Sequence, residues 1–422
     1  MSFDLPDLPN GWSFTSLESC SQKGSITYGI VQPGSQTNGG VPIIRVNNFR
    51  DTRIDVSDVM QVAPEIAAKY ERTRLKGGEV LLTVVGTVGQ VAVAPPTVAD
   101  YNVARAVAVI HPMSHVSAEW IALCLRSPFS QHLLGSRANT TVQTTINLKD
   151  LRALPIPMPP EGERLAITEM VGAIDDRITL LRETNTSLEA IAQALFKSWF
   201  VDFDPVHAKM QGRAPEGMDQ ATAALFPDSF EESELGLVPK GWKPVRLDSF
   251  IELAYGKALK SDTRRPGSVP VYGSGGITGW HDTALVSEAS VVVGRKGTVG
   301  SIYWENRPFF PIDTVFYVKA SKPLTYCHQL LMTLGLDDMN TDAAVPGLNR
   351  ENVYRLQVPD VSSGVVDAFD DIVSALRGSI DRNNDQAQSL SDARDALLPR
   401  LISGQLRLSE FELIPKAEVL SE

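Results

Sequence analysis

The residues of this 422-residue chain that could do chemistry are mainly acids. Asp202 and Asp204 form a pair that could hold a metal ion, and Glu231, Glu232 and Glu234 form a cluster of the kind that nucleases use. Both groups lie in one acidic stretch rich in proline and glycine, with no basic partner at a useful spacing. A solvated linker is therefore the favoured interpretation of these acids.

Loops and spacings that bind cofactors or metals are missing from the sequence. It contains no GxxxxGK[ST] loop, and Gly273, Gly275, Gly276 and Gly279 do not have the spacing of a dinucleotide-binding motif. The three cysteines and six histidines show no ligand spacing, and no Asp/Asn-Pro-Pro-aromatic tetrapeptide occurs. The residues therefore predict a binding protein with no catalytic residue and no metal ligand of its own.

The overall charge argues at first against a nucleic-acid ligand. Asp and Glu number 50 against 39 Lys and Arg, for a net charge of −11, whereas phosphate binding needs a basic surface. The acids are unevenly placed, because residues 1–150 hold 12 acids and 12 bases and residues 236–360 hold 12 acids and 14 bases. These two segments stay compatible with DNA, and the excess acid lies in the rest of the chain.

Length and hydropathy predict a cytoplasmic protein of two or three domains. Hydrophobic residues make up 43% of the chain, yet no apolar run approaches the ~20 residues that span a bilayer. The first residues are acidic and do not resemble a signal peptide. Cys20, Cys124 and Cys327 lie far apart, which fits a reducing compartment.

An internal repeat covers nearly the whole chain. The motif LPNGW at 8–12 returns as VPKGW at 238–242, GTVG at 86–89 returns at 297–300, and INL at 146–148 returns as LNR at 348–350. The offset between partners shrinks at first and then stays at 202 from residue 147 on. The early part of each repeat therefore varies in its loops, while the late part has a fixed length.

The early part of each repeat predicts short strands broken by Gly and Pro, followed by one helix, around 118–134 and 324–334. The GTVG motif fits a tight turn that only glycine tolerates; a turn that approaches phosphate is the minority alternative.

The late part predicts a long helix with a heptad seam. The seam residues are Ile174, Ile178, Leu181, Asn185, Leu188, Leu195 and Trp199 in the first helix, and Leu376, Ile380, Asn383, Leu390, Leu397 and Leu401 in the second. An apolar seam is not stable alone in water, so the two helices are expected to pack against each other. The two asparagines either fix the register of this pairing or mark a solvated gap.

The resulting fold class is α+β, with two pseudo-symmetric mixed α/β domains joined by two long antiparallel coiled-coil helices. The connector is expected to hold one short helix. The predicted segments are a first domain 1–158, a first long helix 159–200, a connector 201–235, a second domain 236–361, a second long helix 362–404 and a C-terminal tail 405–422.

Several of these motifs resemble the specificity subunits of type I restriction–modification systems. The most specific are WFVDFDPV at 199–206 and LLPRLISG at 397–404; the entry motif at 8–12 and the GTVG turn also match. The resemblance covers roughly residues 5–408. One departure is visible, since the family often carries an acid-Gln pair at the start of each long helix and this chain does not. This departure puts only the contacts at the helix starts in doubt.

The resemblance implies that each domain is a target-recognition domain for one half of a bipartite DNA sequence. It implies that the long helices space the domains and dock two methyltransferase subunits that use S-adenosylmethionine. Two motor-nuclease subunits that use ATP and Mg²⁺ would complete the complex, and this chain would hold no cofactor. A first helix of about 37 residues spans roughly 55 Å, or on the order of 16 base pairs.

Under this interpretation, polar, planar or basic groups on loops are the candidate DNA contacts. In the first domain they are Arg45, Asn47, Asn48, Arg50, Arg137, Asn139, Thr141 and Gln143; in the second they are Lys257, Lys260, Arg264, Arg265, Tyr272, Ser274, Arg295 and Lys296.

Two alternatives stay open at this point. One is a modification-only methyltransferase complex without nuclease subunits, and the other is a coiled-coil scaffold that never touches DNA.

Overall fold

The computed structural model describes residues 5–137, 145–339 and 347–408. Within it the chain forms two compact units. Unit 1 comprises residues 1–180 and 386–422, and unit 2 comprises residues 181–385. Each unit contains one mixed domain together with a part of each long helix.

The domain of unit 1 contains two small sheets and two further pairs of strands. Its strands are β1 (Ser13–Ser16), β2 (Thr27–Tyr28), β3 (Val41–Ile44), β4 (Phe49–Arg50), β5 (Arg53–Ile54), β6 (Met60–Val62), β7 (Val80–Thr83), β8 (Val91–Val93), β9 (Asn102–Val103), β10 (Val107–Ile110) and β11 (Pro155–Met158). The sheet orders are β2-β10-β7-β8 and β6-β3-β9, with the pairs β1-β11 and β4-β5. The run from Val80 to Thr83 is buried on both faces, which explains its continuous apolar sequence.

Helices cover the sheets of unit 1. They are α1 (Pro64–Ala67), α2 (Ala118–Arg126), α3 (Pro128–Arg137) and α4 (Leu148–Arg152), followed by the first long helix α5 (Glu161–Phe200). The Ser117 side chain caps α2 by accepting a hydrogen bond from Trp120 N, and Asn147 caps α4 in the same way. The single helix predicted around 118–134 is wrong in this detail, because Pro128 starts a second helix there.

Unit 2 begins with part of α5 and the connector, and it ends in the second long helix. Its further elements are α6 (Asp204–Met210), α7 (Gln220–Leu225), β12 (Phe230–Ser233), β13 (Gly236–Pro239), β14 (Pro244–Arg246), β15 (Ile251–Tyr255), β16 (Val269–Gly273), β17 (Gly276–His281), β18 (Ser290–Gly294), β19 (Ile302–Glu305), β20 (Phe310–Pro311), β21 (Val315–Ala320), α8 (Leu324–Thr333), α9 (Arg350–Tyr354), β22 (Gln357–Pro359) and α10 (Ser363–Ile402).

The two domains share one topology. The order β15-β21-β18-β19 repeats β2-β10-β7-β8, the order β17-β16-β20 repeats β6-β3-β9, and the pair β14-β22 repeats β1-β11. In both three-stranded sheets the middle strand pairs antiparallel with one neighbour and parallel with the other. The predicted fold class is confirmed.

The connector is folded to a greater extent than its composition suggests. It holds two short helices and most of the β12-β13 hairpin, so the expectation of one short helix is wrong. Its aromatic residues explain the difference: Phe226 packs edge-on against Trp199 at 5.1 Å, and Phe203 packs against Phe230 and Trp242. Asp204, one of the acids considered for metal binding, accepts a hydrogen bond from Ser198 Oγ.

The GTVG motif forms a tight turn in both domains, as its glycines predict. Gly86, Gly89, Gly297 and Gly300 all have positive φ angles, between 72° and 98°. The turn of unit 2 also needs glycine for space, because a Cβ on Gly300 would lie 2.2 Å from Asp337 N. At Gly86 a Cβ would meet nothing within 4 Å.

In unit 1 the long helices run antiparallel and are joined by a half-buried ion cluster. Asp175 of α5, with 16% of its side chain exposed, accepts from Arg394 of α10 at 2.8 Å and from Arg126 of α2 at 3.0 Å. Nearer the start of α5, Glu163 accepts from Arg407 and from the Trp12 indole. The hydrogen bond from Arg407 is the main cause of a lowered pKa at the Glu163 carboxyl.

In unit 2 the helices are joined by a second ion cluster, again with the carboxylate on α5 and the guanidinium on α10. Arg377 of α10 makes a bidentate ion pair with Glu189 of α5 and stacks 5.0 Å from the Trp304 ring. Its guanidinium also lies 3.2 Å from Nδ1 of His328, on the domain helix α8. Burial, with the nearby Arg377 charge, lowers the pKa of His328 to about 3. Arg377 stands 202 positions after Asp175, so equivalent sites of the repeat carry opposite charges.

All the predicted seam residues are buried or half-buried in the structure. The asparagines pair across the helices of unit 2, where Asn383 Nδ2 donates to Asn185 Oδ1 and Asn185 Nδ2 donates to Asn384 Oδ1, both at 2.8 Å. Asn185 and Asn383 are half-buried and Asn384 is exposed, so register fixing and a solvated gap both stay predictions.

Candidate nucleic-acid interface

A basic recess in unit 2 lies where β15, β18 and α9 meet. Tyr255 is the last residue of β15, Arg295 and Lys296 directly follow β18, and Arg350 is the first residue of α9. The recess has a volume of about 450 Å³ and is lined by these four residues and by Gly347, Leu348, Asn349 and Glu351. It brings together side chains from three parts of the chain.

Two guanidinium groups stack on the ring of Tyr255. The Cζ atom of Arg295 lies 5.0 Å from the ring centroid and that of Arg350 lies 4.9 Å from it, while 49% of the tyrosine stays exposed. Arg295 is held further by a 3.0 Å hydrogen bond from its Nη1 to the carbonyl of Asp313. Stacking and hydrogen bonding fix both cations in place before any ligand arrives.

Charge in the recess is strongly positive. The described lining residues include three cations and one acid, Glu351, whose carboxylate lies 3.7 Å from Arg350. Lys296 is exposed beside the GTVG turn. Because like charges held close together repel, an anion is the ligand that this arrangement favours.

At the corresponding place in unit 1, apolar residues stand at the three positions that hold cations in unit 2, while the charges of Arg105 and Arg152 act on the hydroxyl of Tyr28. In unit 1 the backbone N–H of Ile146 donates to Val84 O, and in unit 2 the equivalent N–H of Leu348 donates to Arg295 O. Val84 therefore occupies the position of Arg295. By the same correspondence Val85 stands for Lys296 and Leu148 for Arg350. The tyrosine is retained as Tyr28, but its hydroxyl donates to the carbonyl of Ile146 at 3.0 Å. The two domains therefore present different chemistry at equivalent positions.

The remaining second-domain candidates differ in exposure and in their contacts within the domain. Lys257 and Lys260 are exposed on the loop between β15 and β16. Arg264 is half-buried and donates to the carbonyl of Thr278 at 2.7 Å, and Arg265 is exposed but paired with Asp282 at 2.7 Å. Arg264 thus holds this loop to β17, and its role as a DNA contact stays a prediction.

Tyr272 is buried and is corrected as a DNA contact, whereas Ser274 is half-buried and stays a prediction. The Tyr272 ring is buried and its hydroxyl donates to Glu305 at 3.0 Å. Burial, with the adjacent Glu305 carboxylate, raises the pKa of this tyrosine. Ser274 Oγ accepts from Thr298 N at 3.3 Å, which ties the β16-β17 turn to the GTVG turn.

Among the first-domain candidates, Asn47 and Arg50 are exposed, with 66% of the Arg50 side chain accessible and Asp55 at 3.6 Å. Arg45 is half-buried. Asn48 is buried, and its amide donates to the carbonyls of Asp55 and Asp58 while its oxygen accepts from Arg45 N. Asn48 therefore shapes the loop and is corrected as a base contact.

The other first-domain candidates have side chains outside the described part of the structure. Arg137 is the last residue of α3, and its side chain lies outside the described part of the structure, as do Asn139, Thr141 and Gln143.

Sequence reasoning missed Tyr255 and Arg350. Arg350 belongs to the repeated motif at 348–350, in which the first copy has leucine at the matching place. This exchange of leucine for arginine between two copies of one motif was the signal available for it. No comparable signal marks Tyr255, since the first copy also has a tyrosine.

Among the residues that the structure describes, no group of three or more His, Cys, Asp or Glu side chains is arranged to hold a metal ion. The same residues include no helix with the length and apolar character needed to span a membrane.

Comparison with known proteins points to one family. A family model described as "Type I restriction modification DNA specificity domain" matches residues 32–190 and 239–359, one segment in each repeat. The solved structure of a type I restriction–modification S subunit from M. genitalium has a similar fold, with a TM-score of 0.51 at 18% identity over 94% of this chain and 98% of that one.

Curated relatives have matching names. The EcoBI specificity subunit of Escherichia coli is 30% identical over 166 residues, which are 39% of this chain and 35% of that protein. The HindI specificity subunit of Haemophilus influenzae is 25% identical over 383 residues, 73% of this chain and 82% of that protein. The MjaIX specificity subunit of Methanocaldococcus jannaschii is 21% identical, covering 97% of this chain and 96% of that protein.

Proposed function

Since the chain belongs to the family of type I restriction–modification DNA specificity subunits, we propose that it selects a bipartite DNA sequence, one half-site for each domain. The observation that carries this proposal is the repeated topology: two domains with the same strand orders occur in one chain and differ in loops and charge. Similar scaffolds with different surfaces suit two different half-sites.

The long helices are proposed to set the spacing of the half-sites. Helix α5 has 40 residues and therefore a length of about 60 Å, or roughly 18 base pairs of B-form DNA. Helix α10 also has 40 residues. Equal helix lengths and buried ion clusters in both units support a stiff spacer.

We further propose that the chain acts through partner subunits. Two methyltransferase subunits using S-adenosylmethionine would dock on the long helices and the folded connector, and motor-nuclease subunits using ATP and Mg²⁺ would complete the complex. The catalytic steps are assigned to those partners. The excess of acids outside the two domains supports this division, because it places the anionic surface away from DNA.

Co-expression with the cognate methyltransferase tests the proposal. Methylome sequencing of the host is expected to show one bipartite motif that is absent without the chain. Exchange of residues 236–361 for the corresponding domain of a relative should change one half of the motif and leave the other half intact. If no bipartite motif is methylated, the proposal fails.

A further inference from the structure

We infer that the recess formed by Tyr255, Arg295, Lys296 and Arg350 is a phosphate clamp, which holds the DNA backbone at the second half-site without reading its sequence. This inference rests on the proposed function and makes it more specific. It assigns sequence-independent affinity to one domain, and it distinguishes that domain from its counterpart in unit 1.

The shape of the recess decides between phosphate and base. A side chain that reads a base must project into a groove of DNA, and the major groove is about 8.5 Å deep. Arg295 and Arg350 instead lie over the Tyr255 ring within a concavity and are half-buried. A concave surface meets what protrudes from the duplex, and on B-form DNA that is the phosphate ridge.

The chemistry of the recess fits the same ligand. Guanidinium groups make the paired N–H donation that phosphate oxygens accept, although Nη1 of Arg295 already donates to Asp313 O and Nη1 of Arg350 to Leu253 O at 3.5 Å. Lys296, exposed at the rim, adds a mobile point charge. The Asn349 side chain is already used, since it accepts from the backbone of α9 at Glu351 and Asn352, so it is not available as a base contact.

Among the described residues of the first domain, apolar side chains stand at the three positions of the clamp's cations, although Arg105 and Arg152 lie near Tyr28. Val84, Val85 and Leu148 replace the three cations, and Leu148 and Val85 pack against the hydrophobic core of unit 1. DNA affinity at the first half-site must therefore come from other groups, such as the exposed Arg50. The two domains are expected to contribute unequally to the salt dependence of binding.

The test measures DNA affinity over a salt series, using the full chain copurified with its methyltransferase subunit. The probes are a fluorescent duplex carrying the methylated motif and a duplex of the same length with both half-sites scrambled. The variants are Arg350→Gln and Lys296→Gln, and the matched control is Lys319→Gln. Lys319 is an exposed cation of the same domain that pairs with Glu252 at the far end of the β15-β21 ladder.

A phosphate clamp predicts equal losses on both duplexes. Each recess variant should weaken binding about tenfold on motif and scrambled DNA alike. Each should also reduce the slope of log affinity against log salt by about 0.9. Lys319→Gln should leave both quantities unchanged. Lys296 is exposed, so its variant provides a result even if Arg350→Gln is unstable.

Two results would overturn the clamp. One is a recess variant that relaxes base preference at the second half-site without changing the salt slope, which would mean base reading. The other is affinity equal to that of Lys319→Gln, which would mean no contact. If the wild-type complex bound both duplexes equally while the recess variants still lost affinity, the clamp would stand and the proposed function would fail.

Discussion

Lengthening both long helices tests whether they set the distance between half-sites. We would insert seven residues after Asn185 in α5 and seven directly before Asn383 in α10, repeating the local sequence. These places face each other, because the two asparagines are hydrogen-bonded at 2.8 Å. Seven residues turn through about 700°, close to two full turns, so the heptad seam stays on its face.

The expected change follows from helix geometry. Seven residues at 1.5 Å each add about 10.5 Å, which corresponds to about three base pairs at 3.4 Å. The unspecified spacer of the methylated motif should lengthen accordingly, while both half-sites keep their sequences. Methylome sequencing of cells that express the variant with its methyltransferase measures the spacer directly.

Two further measurements make the result decisive. Insertion into α5 alone shifts its seam by one heptad against α10, so this control is expected to melt at a lower temperature. Should the doubly lengthened protein melt like the wild type and still methylate a motif with the original spacer, helix length would not set the spacing.

Three predictions concern stability. His328→Asn should lose less stability than the wild type on acidification. The unfolded wild type takes up a proton below pH 6.5, whereas the buried imidazole, with a folded pKa of about 3, stays neutral. The difference between the free energies of unfolding of wild type and variant should therefore narrow by about 2 kcal/mol from pH 7 to pH 5, and a constant difference would contradict this. Gly300→Ala should cost more than about 2 kcal/mol in urea denaturation, against about 1 kcal/mol for Gly86→Ala, where space is open; equal costs would refute the steric reasoning. Asp175→Asn should cost about 3 kcal/mol, since it leaves Arg126 without a carboxylate and Arg394 with Asp395 as its remaining partner, whereas neighbouring Asp176→Asn, 82% exposed, should stay within about 0.5 kcal/mol by the same assay.

The features that the sequence predicts well are periodic or repeated. The heptad pattern predicts the long helices because apolar spacing along a helix is a local property, and the recurring motifs predict two domains of one design. The GTVG turns could be predicted because glycine at both ends is needed for their backbone angles. These features do not depend on which distant segments are in contact.

The features that the sequence does not predict depend on contacts between residues far apart in the chain. The stack on Tyr255 joins residues 40 and 95 positions further along the chain, and no local pattern marks their contact. Asn48 has the polar character of a DNA contact, yet its partners are backbone carbonyls that only the folded loop supplies. In the connector, the acids predict solvation while buried Phe226 decides that the segment folds.

The opposite charges at Asp175 and Arg377 make the two halves of the chain non-interchangeable. In a chain built from two copies of the first half, position 377 would carry an aspartate opposite Glu189. In a chain built from two copies of the second half, position 175 would carry an arginine opposite Arg394. Either symmetric product would bury like charges face to face. The ion clusters thus favour pairing of unlike halves, and a recombination that copies one half over the other would be penalised in folding even if its DNA-binding loops were intact.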